Sequence, residues 1–205
     1  MIYHITSFTA YLILKIFFSL KVTGLENIPL KGPFIIACNH ASYLDPIIIG
    51  SLRRRRASFV AKEELFKNKF FAWYLNKLNV FPLKRYSSDS RTLRGAVRRL
   101  KKGGGFVIFP EGTRSDDGSI REGKIGVSVL SFITKACVIP CYVGGSYQVW
   151  PSNSRFLHRG KLTIIFGQPL QPPLVRKDTK KLDYYEFAQK VMSQIKALKE
   201  KPCHD

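Results

Sequence analysis

The chain has 205 residues, of which 45% are hydrophobic, 13% aromatic and 23% charged. That is enough apolar surface for one packed domain, and it excludes disordered, collagen-like and low-complexity classes. Lysine and arginine outnumber aspartate and glutamate by 34 to 14, a net charge of +20 that points to an anionic partner: nucleic acid, anionic lipid or a phosphorylated substrate.

In chain order, residues 1–20 (MIYHITSFTAYLILKIFFSL) are the most apolar stretch, interrupted by His4, Thr6, Ser7, Thr9 and Lys15. With no basic segment before the apolar run and no small-x-small site after it, the stretch does not read as a signal peptide. It predicts a helix lying in a membrane interface or dipping into one leaflet, with a true span or an ordinary buried helix as the alternatives. Deleting residues 1–20 is then expected to raise solubility. Were it a span, Lys15 and Lys21 would keep the following domain cytoplasmic.

Beyond it, short runs rich in valine, isoleucine and phenylalanine predict strands at 34–38, 58–62, 79–84, 105–110, 137–143 and 161–167. Helices are predicted at 63–78, 88–102, 123–135 and 182–200; the last carries the stripe Ala188, Val191, Met192, Ile195, Leu198. Residues 168–180 form a proline-rich connector. The alternation predicts an α/β fold, with a central, mostly parallel mixed sheet flanked by helices. The cysteines, Cys38, Cys137, Cys141 and Cys203, include no CxxC pair, which argues against a zinc site, and three lie in apolar runs. A cytosol-facing protein is the economical reading.

Three strand ends carry chemistry. Asn39-His40-Ala41-Ser42-Tyr43-Leu44-Asp45 follows the 34–38 strand and precedes Pro46. Asp45 before a proline reads as a helix N-cap, and a tight turn would let its carboxylate face His40. A carboxylate on one imidazole nitrogen fixes the tautomer and leaves the other nitrogen free to take a proton. No serine or cysteine partner is picked out by spacing, so the pair would act as a general base on a substrate hydroxyl. Residues 109–115, Phe-Pro-Glu-Gly-Thr-Arg-Ser, end another strand; Gly112 permits a tight turn and Arg114 offers a planar fork for phosphate. Residues 80–85 lead into the cations Lys84 and Arg85. Each signal alone has an ordinary structural explanation; together they point to one site. Arg53–Arg56 and the cations of 91–102 form a basic face that suits solvent or an anionic membrane surface.

Those residues resemble the glycerolipid acyltransferase family typified by the lysophosphatidate acyltransferases. The family's first motif, N-H-x-x-x-x-D, stands as Asn39, His40 and Asp45. The second stands as Phe81-Pro82-Leu83-Lys84-Arg85, with Asn79 where glycine is common. The third, F-P-E-G-T-R-S, is complete at 109–115, and the fourth stands as Val138-Ile139-Pro140-Cys141-Tyr142-Val143. The resemblance covers about residues 22–170; with the apolar run ahead of it, the expected division is an N-terminal membrane-associating helix at 1–21 and an acyltransferase domain at 22–205. It implies that His40 deprotonates the acceptor hydroxyl and Asp45 orients it. Glu111, Gly112, Thr113 and Arg114 would form the glycerol-phosphate pocket, helped by Arg85 and Lys84.

It further implies direct transfer from a thioester, acyl-CoA or an acidic acyl-carrier protein, to a lysophospholipid acceptor, with no metal and no cofactor. The product would be phosphatidate. The 63–78 helix, rich in aromatic residues, would line an acyl tunnel or pack in the core. A membrane-associated enzyme facing the cytoplasm is expected. Other acceptors, glycerol-3-phosphate or another lysophospholipid, would use the same base. A nucleic-acid-binding module answers the charge, but no RRM, KH or zinc-finger pattern is present, and no nucleic-acid partner is expected. A lipid-binding protein without turnover is the third reading.

Overall fold

The computed structural model describes residues 1–52, 54–83, 90–151, 154, 156–174 and 180–200. Its centre is a seven-stranded sheet in the order β1-β7-β6-β2-β5-β3-β4. The strands are β1 (Lys21–Thr23), β2 (Phe34–Cys38), β3 (Ala57–Lys62), β4 (Val80–Leu83), β5 (Gly105–Ile108), β6 (Cys137–Gly144) and β7 (Thr163–Phe166). Strands β4, β3, β5, β2 and β6 run parallel; β7 is antiparallel to β6 and carries β1 parallel to itself. This is the mixed, mostly parallel sheet expected from the alternation of runs.

Every residue of β2 is buried, which explains its unbroken apolar sequence: a parallel strand covered on both faces has no solvent side. Phe34, Ile36 and Cys38 face one core with Leu14, Leu20, Leu44 and Ile48. Ile35 and Ala37 face the other, with Leu100, Val127, Leu130, Val191 and Ile195. The first face is thus covered by α1 (Ile2–Phe18) and α2 (Asp45–Ser51). The second is covered by α4 (Ser90–Lys101), α5 (Gly126–Thr134) and α7 (Lys181–Glu200). The short α6 (Ser146–Val149) follows β6.

The differences from expectation have local causes. Strand β1, three residues with little apolar character, carries no sequence signal and exists because β7 offers it an edge. The predicted 63–78 helix is a 3-10 turn over Glu63–Phe66 followed by α3 (Lys69–Lys77), capped by Asn68 accepting from the Phe71 amide at 3.1 Å. No residue of α3 is buried, and Phe70 is 74% exposed, so these aromatics are not core packing. Asn79, where family members commonly have glycine, has φ of 61°, the left-handed conformation that asparagine tolerates better than most residues.

Helix α1 is packed inside out. It buries Tyr3, Ser7 and Leu14 and exposes Ile5, Phe8, Leu12, Ile13, Ile16 and Phe17, with Ile16 70% in the open. Leu14 and Leu20 belong to the core that α2 completes. Deleting residues 1–20 would therefore uncover that core, so the truncation expected to raise solubility is no clean test of an anchor. No helix among the described residues is long and apolar enough to cross a membrane.

Candidate active site

The site lies at the carboxyl ends of β2 and β5, adjacent in the sheet, where open α/β sheets place their ligands. Where β2 ends, Asn39 continues its pairing with side-chain atoms. Its Nδ2 donates to the Val143 carbonyl at 3.0 Å, and its Oδ1 accepts from the Val143 amide at 2.8 Å. His40 is bound by its backbone to the loop after β5: its amide donates to Glu111 Oε1 at 2.9 Å, and its carbonyl accepts from the Ser115 amide at 2.7 Å. Motifs separated by some seventy residues are thereby knitted together through main-chain atoms.

Asp45 is fully buried, and one of its oxygens does three tasks. Oδ2 accepts from the amides of Ala41 and Ser42 and contacts His40 Nδ1, each at 2.8 Å. The sequence read Asp45 as the cap of its own helix; instead helix α2 begins at Asp45, and the carboxylate reaches back to the turn before it. A carboxylate oxygen only accepts, so Nδ1 carries the hydrogen and Nε2 carries the lone pair. The Phe109 ring stacks on the imidazole, centroids 4.0 Å apart and planes 19° apart, which limits ring rotation. The His40 side chain remains 18% exposed, so the site is partly open to solvent.

Glu111 was expected in the substrate pocket, but it is buried and spends both oxygens on backbone: Oε1 on the His40 amide, Oε2 on the Arg121 amide at 3.2 Å. Burial pushes its carboxyl up, partly offset by those two bonds. It is a clamp that holds the two loops. Gly112 has φ of +74° and closes a turn onto the Phe109 carbonyl at 3.0 Å. A Cβ there would lie 3.1 Å from Lys124 Nζ, so the lysine amine crosses the turn where a side chain would stand. Thr113 is exposed beside it. The Arg114 guanidinium lies over the Tyr43 ring, 3.6 Å from its centroid, and its Nη1 is buried with no partner among the described residues.

His40, Asp45, Glu111, Gly112, Thr113 and Arg114 are thus brought to one sheet edge, whereas Lys84 and Arg85 lie outside the described residues. Burial and neighbouring Cys141 push the Cys38 thiol far up, so it stays protonated and offers no competing nucleophile. Sequence reasoning passed over Tyr43, Trp150 and Lys124. Lys124 carried no periodic signal, and its position follows only from the loop's return, with its amide on the Pro110 carbonyl at 2.8 Å.

Known proteins resemble this chain in sequence and in fold. A family model described as "Acyltransferase" matches residues 19–144. The 1-acyl-sn-glycerol-3-phosphate acyltransferase of Bacillus subtilis is 32% identical over 163 residues, 77% of this chain and 78% of that protein. The chloroplastic 1-acyl-sn-glycerol-3-phosphate acyltransferase LPAT1 of Arabidopsis thaliana is also 32% identical, over 75% of this chain but only 44% of its own greater length. The crystal structure of the 1-acyl-sn-glycerophosphate acyltransferase PlsC from Thermotoga maritima superposes with a TM-score of 0.80 at 29% identity, covering 99% of this chain and 81% of that one. These likenesses do not favour the nucleic-acid-binding reading of the charge. The chain belongs to the glycerolipid acyltransferase family, of which the 1-acyl-sn-glycerol-3-phosphate acyltransferases are members.

Proposed function

We propose that this protein transfers a fatty acyl chain from a thioester to the free hydroxyl of lysophosphatidate, giving phosphatidate. The observation that carries the reading is the His40–Asp45 pair. It is held at 2.8 Å with the ring stacked and the side chain partly exposed, at the same strand ends as an arginine whose buried Nη1 lacks a partner among the described residues. Nε2 takes the acceptor's hydroxyl proton as the oxygen attacks the thioester carbonyl. Asp45 keeps Nδ1 protonated and stabilises the imidazolium that forms. When the tetrahedral oxyanion collapses, the new C–O ester bond remains, the C–S bond breaks, and the proton passes from His40 to the departing sulfur. No acyl-enzyme is needed.

Arg114 receives the acceptor phosphate as a planar fork, with Arg85 and Lys84 assisting. Lys124 adds positive charge beside Gly112, close to where the oxyanion forms. The donor is acyl-CoA or an acyl-carrier protein. The acceptor and the product are lipids, and the inside-out α1 supports an enzyme held at an anionic membrane surface from the cytoplasmic side. At ~1.5 Å per residue, its 17 residues give about 25 Å, short of the roughly 30 Å hydrocarbon core, so it lies in the interface.

The test is turnover of purified protein with a labelled thioester against lysophosphatidate, glycerol-3-phosphate and a lysophospholipid with another head group. Lysophosphatidate is expected to give the highest kcat/KM. An equal or higher value for another acceptor refutes the substrate assignment.

A further inference from the structure

The turn between His40 and Asp45 is almost wholly committed inward. The amides of Ala41 and Ser42 bind Asp45. The Ser42 hydroxyl donates to the Trp150 carbonyl at 2.7 Å and accepts from the Leu44 amide at 3.1 Å. Tyr43 alone projects outward, 46% exposed despite its size. Its hydroxyl makes no hydrogen bond among the described residues, yet its ring has two neighbours. The Arg114 guanidinium carbon stands 3.6 Å from the ring centroid. The Trp150 ring lies 5.5 Å away, inclined at 48°. Trp150 is itself fixed, its indole N–H donating to the Ser154 carbonyl at 3.1 Å and its amide to the Ser146 carbonyl at 2.9 Å. Tyr43 therefore joins the turn after β2, the turn after β5 and the end of α6.

An arginine at a mouth exposed to water keeps many rotamers, and ordering it on ligand binding costs affinity. A guanidinium against an aromatic ring is attracted to the ring's negative face and loses water on that side. Its N–H edge then remains for a planar, bidentate contact with an oxyanion. The buried Nη1, without a partner among the described residues, fits such a waiting donor. The hydroxyl has no part in this, so a ring without it should serve as well.

From this geometry we infer that Tyr43 is a positioning residue for Arg114: its ring, backed by Trp150, holds the guanidinium in place for the acceptor's phosphate and sets the preference for a phosphorylated acceptor over a neutral one. The inference rests on the proposed phosphate-bearing acceptor. It assigns Tyr43 to recognition, not to proton transfer.

The experiment compares lysophosphatidate with a monoacylglycerol of the same chain. It uses the full-length protein, Tyr43→Phe, Tyr43→Leu, Arg114→Ala and the double variant Tyr43→Leu/Arg114→Ala, with melting temperatures measured alongside. Tyr43→Phe is expected within about twofold of the parent in every constant, because the ring face is kept. Tyr43→Leu is expected to raise KM for lysophosphatidate about tenfold, roughly 1.4 kcal/mol, with kcat, donor KM and monoacylglycerol kinetics unchanged. On the Arg114→Ala background it should add less than about twofold, because the group it positions is gone. A kcat loss at constant KM, equal losses on both acceptors, or full additivity with Arg114→Ala each overturns the inference. Should Tyr43→Leu melt several degrees low, Tyr43→Met supplies the same comparison with a longer side chain. A parent protein that does not discriminate between the two acceptors overturns the phosphate-acceptor reading and this inference with it. A discriminating parent whose ratio Tyr43→Leu leaves unmoved overturns this inference alone.

Discussion

Asp45→Asn separates charge from geometry at His40. In the native site Oδ2 faces three donors at 2.8 Å, while the buried Oδ1 faces none among the described residues. An asparagine must therefore turn its oxygen to the Oδ2 position, because its NH2 there would confront two amides and Nδ1–H. The tautomer of His40 is retained, and only the negative charge is lost. An imidazolium and a carboxylate with charge centres about 4 Å apart attract by roughly 4 kcal/mol at an effective dielectric near 20. With half the proton transferred in the transition state, about 2 kcal/mol is forfeited, so kcat should fall roughly 30-fold. Reversal of the tautomer would cost about 10⁴-fold. Stability should change by about 1 kcal/mol, or a few degrees in Tm, since removing a buried charge offsets the weakened hydrogen bonds. Steady-state thiol release and a thermal melt measure both. A fall below about threefold would mean that no charge develops on His40; a fall near 10⁴ in a folded protein would mean that the ring has turned. Asp45→Ala should lose about 3–9 kcal/mol, because three donors lose their acceptor at about 1–3 kcal/mol each, a large share of a total stability of about 5–15 kcal/mol.

Glu111→Gln keeps one amide bond and turns its NH2 toward the other, which should cost about 1–3 kcal/mol in a denaturant titration and lower kcat as the His40 backbone shifts; unchanged stability would remove Glu111 from the clamp. Gly24→Ala places a Cβ against the Phe166 carbonyl oxygen at φ of +73° and disturbs the Asn27 bond to that oxygen at 2.9 Å. The strained backbone and the lost bond together should cost about 2–4 kcal/mol, read as a Tm drop of roughly 5–15 °C. Asp117 is held well below the usual carboxylate range by the Ser115 hydroxyl and then by Ser119. A depressed carboxyl contributes stability above its ordinary value, about 3.9, and loses it as pH falls through the folded value. Asp117→Asn should therefore be less stable than the parent at pH 6, with the gap closing in melts taken below about pH 4; a constant gap refutes the linkage.

What the sequence revealed and hid divides along physical lines. Buried parallel strands such as β2 and β6 announce themselves as apolar runs, because neither face meets water. The pairing of His40 with Asp45 was legible because only four residues of turn separate them and leave few other partners. The structural part of Glu111 was hidden, because a glutamate in a motif looks like a ligand. Only the fold shows that both of its oxygens are taken by amides from residues 40 and 121. Tyr43 was invisible for the same reason: its neighbour, Arg114, is remote in sequence and meets it only when β2 and β5 are paired, while Lys124 reaches Gly112 only through the return of the loop after β5. Strand β1 has no pattern of its own, since an edge strand of three residues is defined by its partner.

Sheet register relates α1 to the site and gives the membrane reading a positional test. Cys38 pairs with Cys141, so His40 stands level with Val143; Val143 pairs with Ile164 and Ile164 with Val22. His40 and the start of β1 therefore share one height on the sheet, three strand spacings or about 14 Å apart. Helix α1 ends just before β1, with the Phe18 carbonyl accepting from the Leu162 amide at 2.9 Å, so Ile16 and Phe17 lie near the height of the imidazole. The other end of α1 lies far from it, since Tyr3 packs under Arg56 just ahead of β3. If α1 rests in an interface to deliver lipid to the site, its two ends are not equivalent. Phe17→Ser should raise acceptor KM on anionic vesicles several-fold and leave kinetics in detergent micelles unchanged, while Ile5→Ser, at a comparably exposed position, should do much less. Equal effects at both ends would mean that α1 anchors without orienting, and no effect at either would remove α1 from membrane contact.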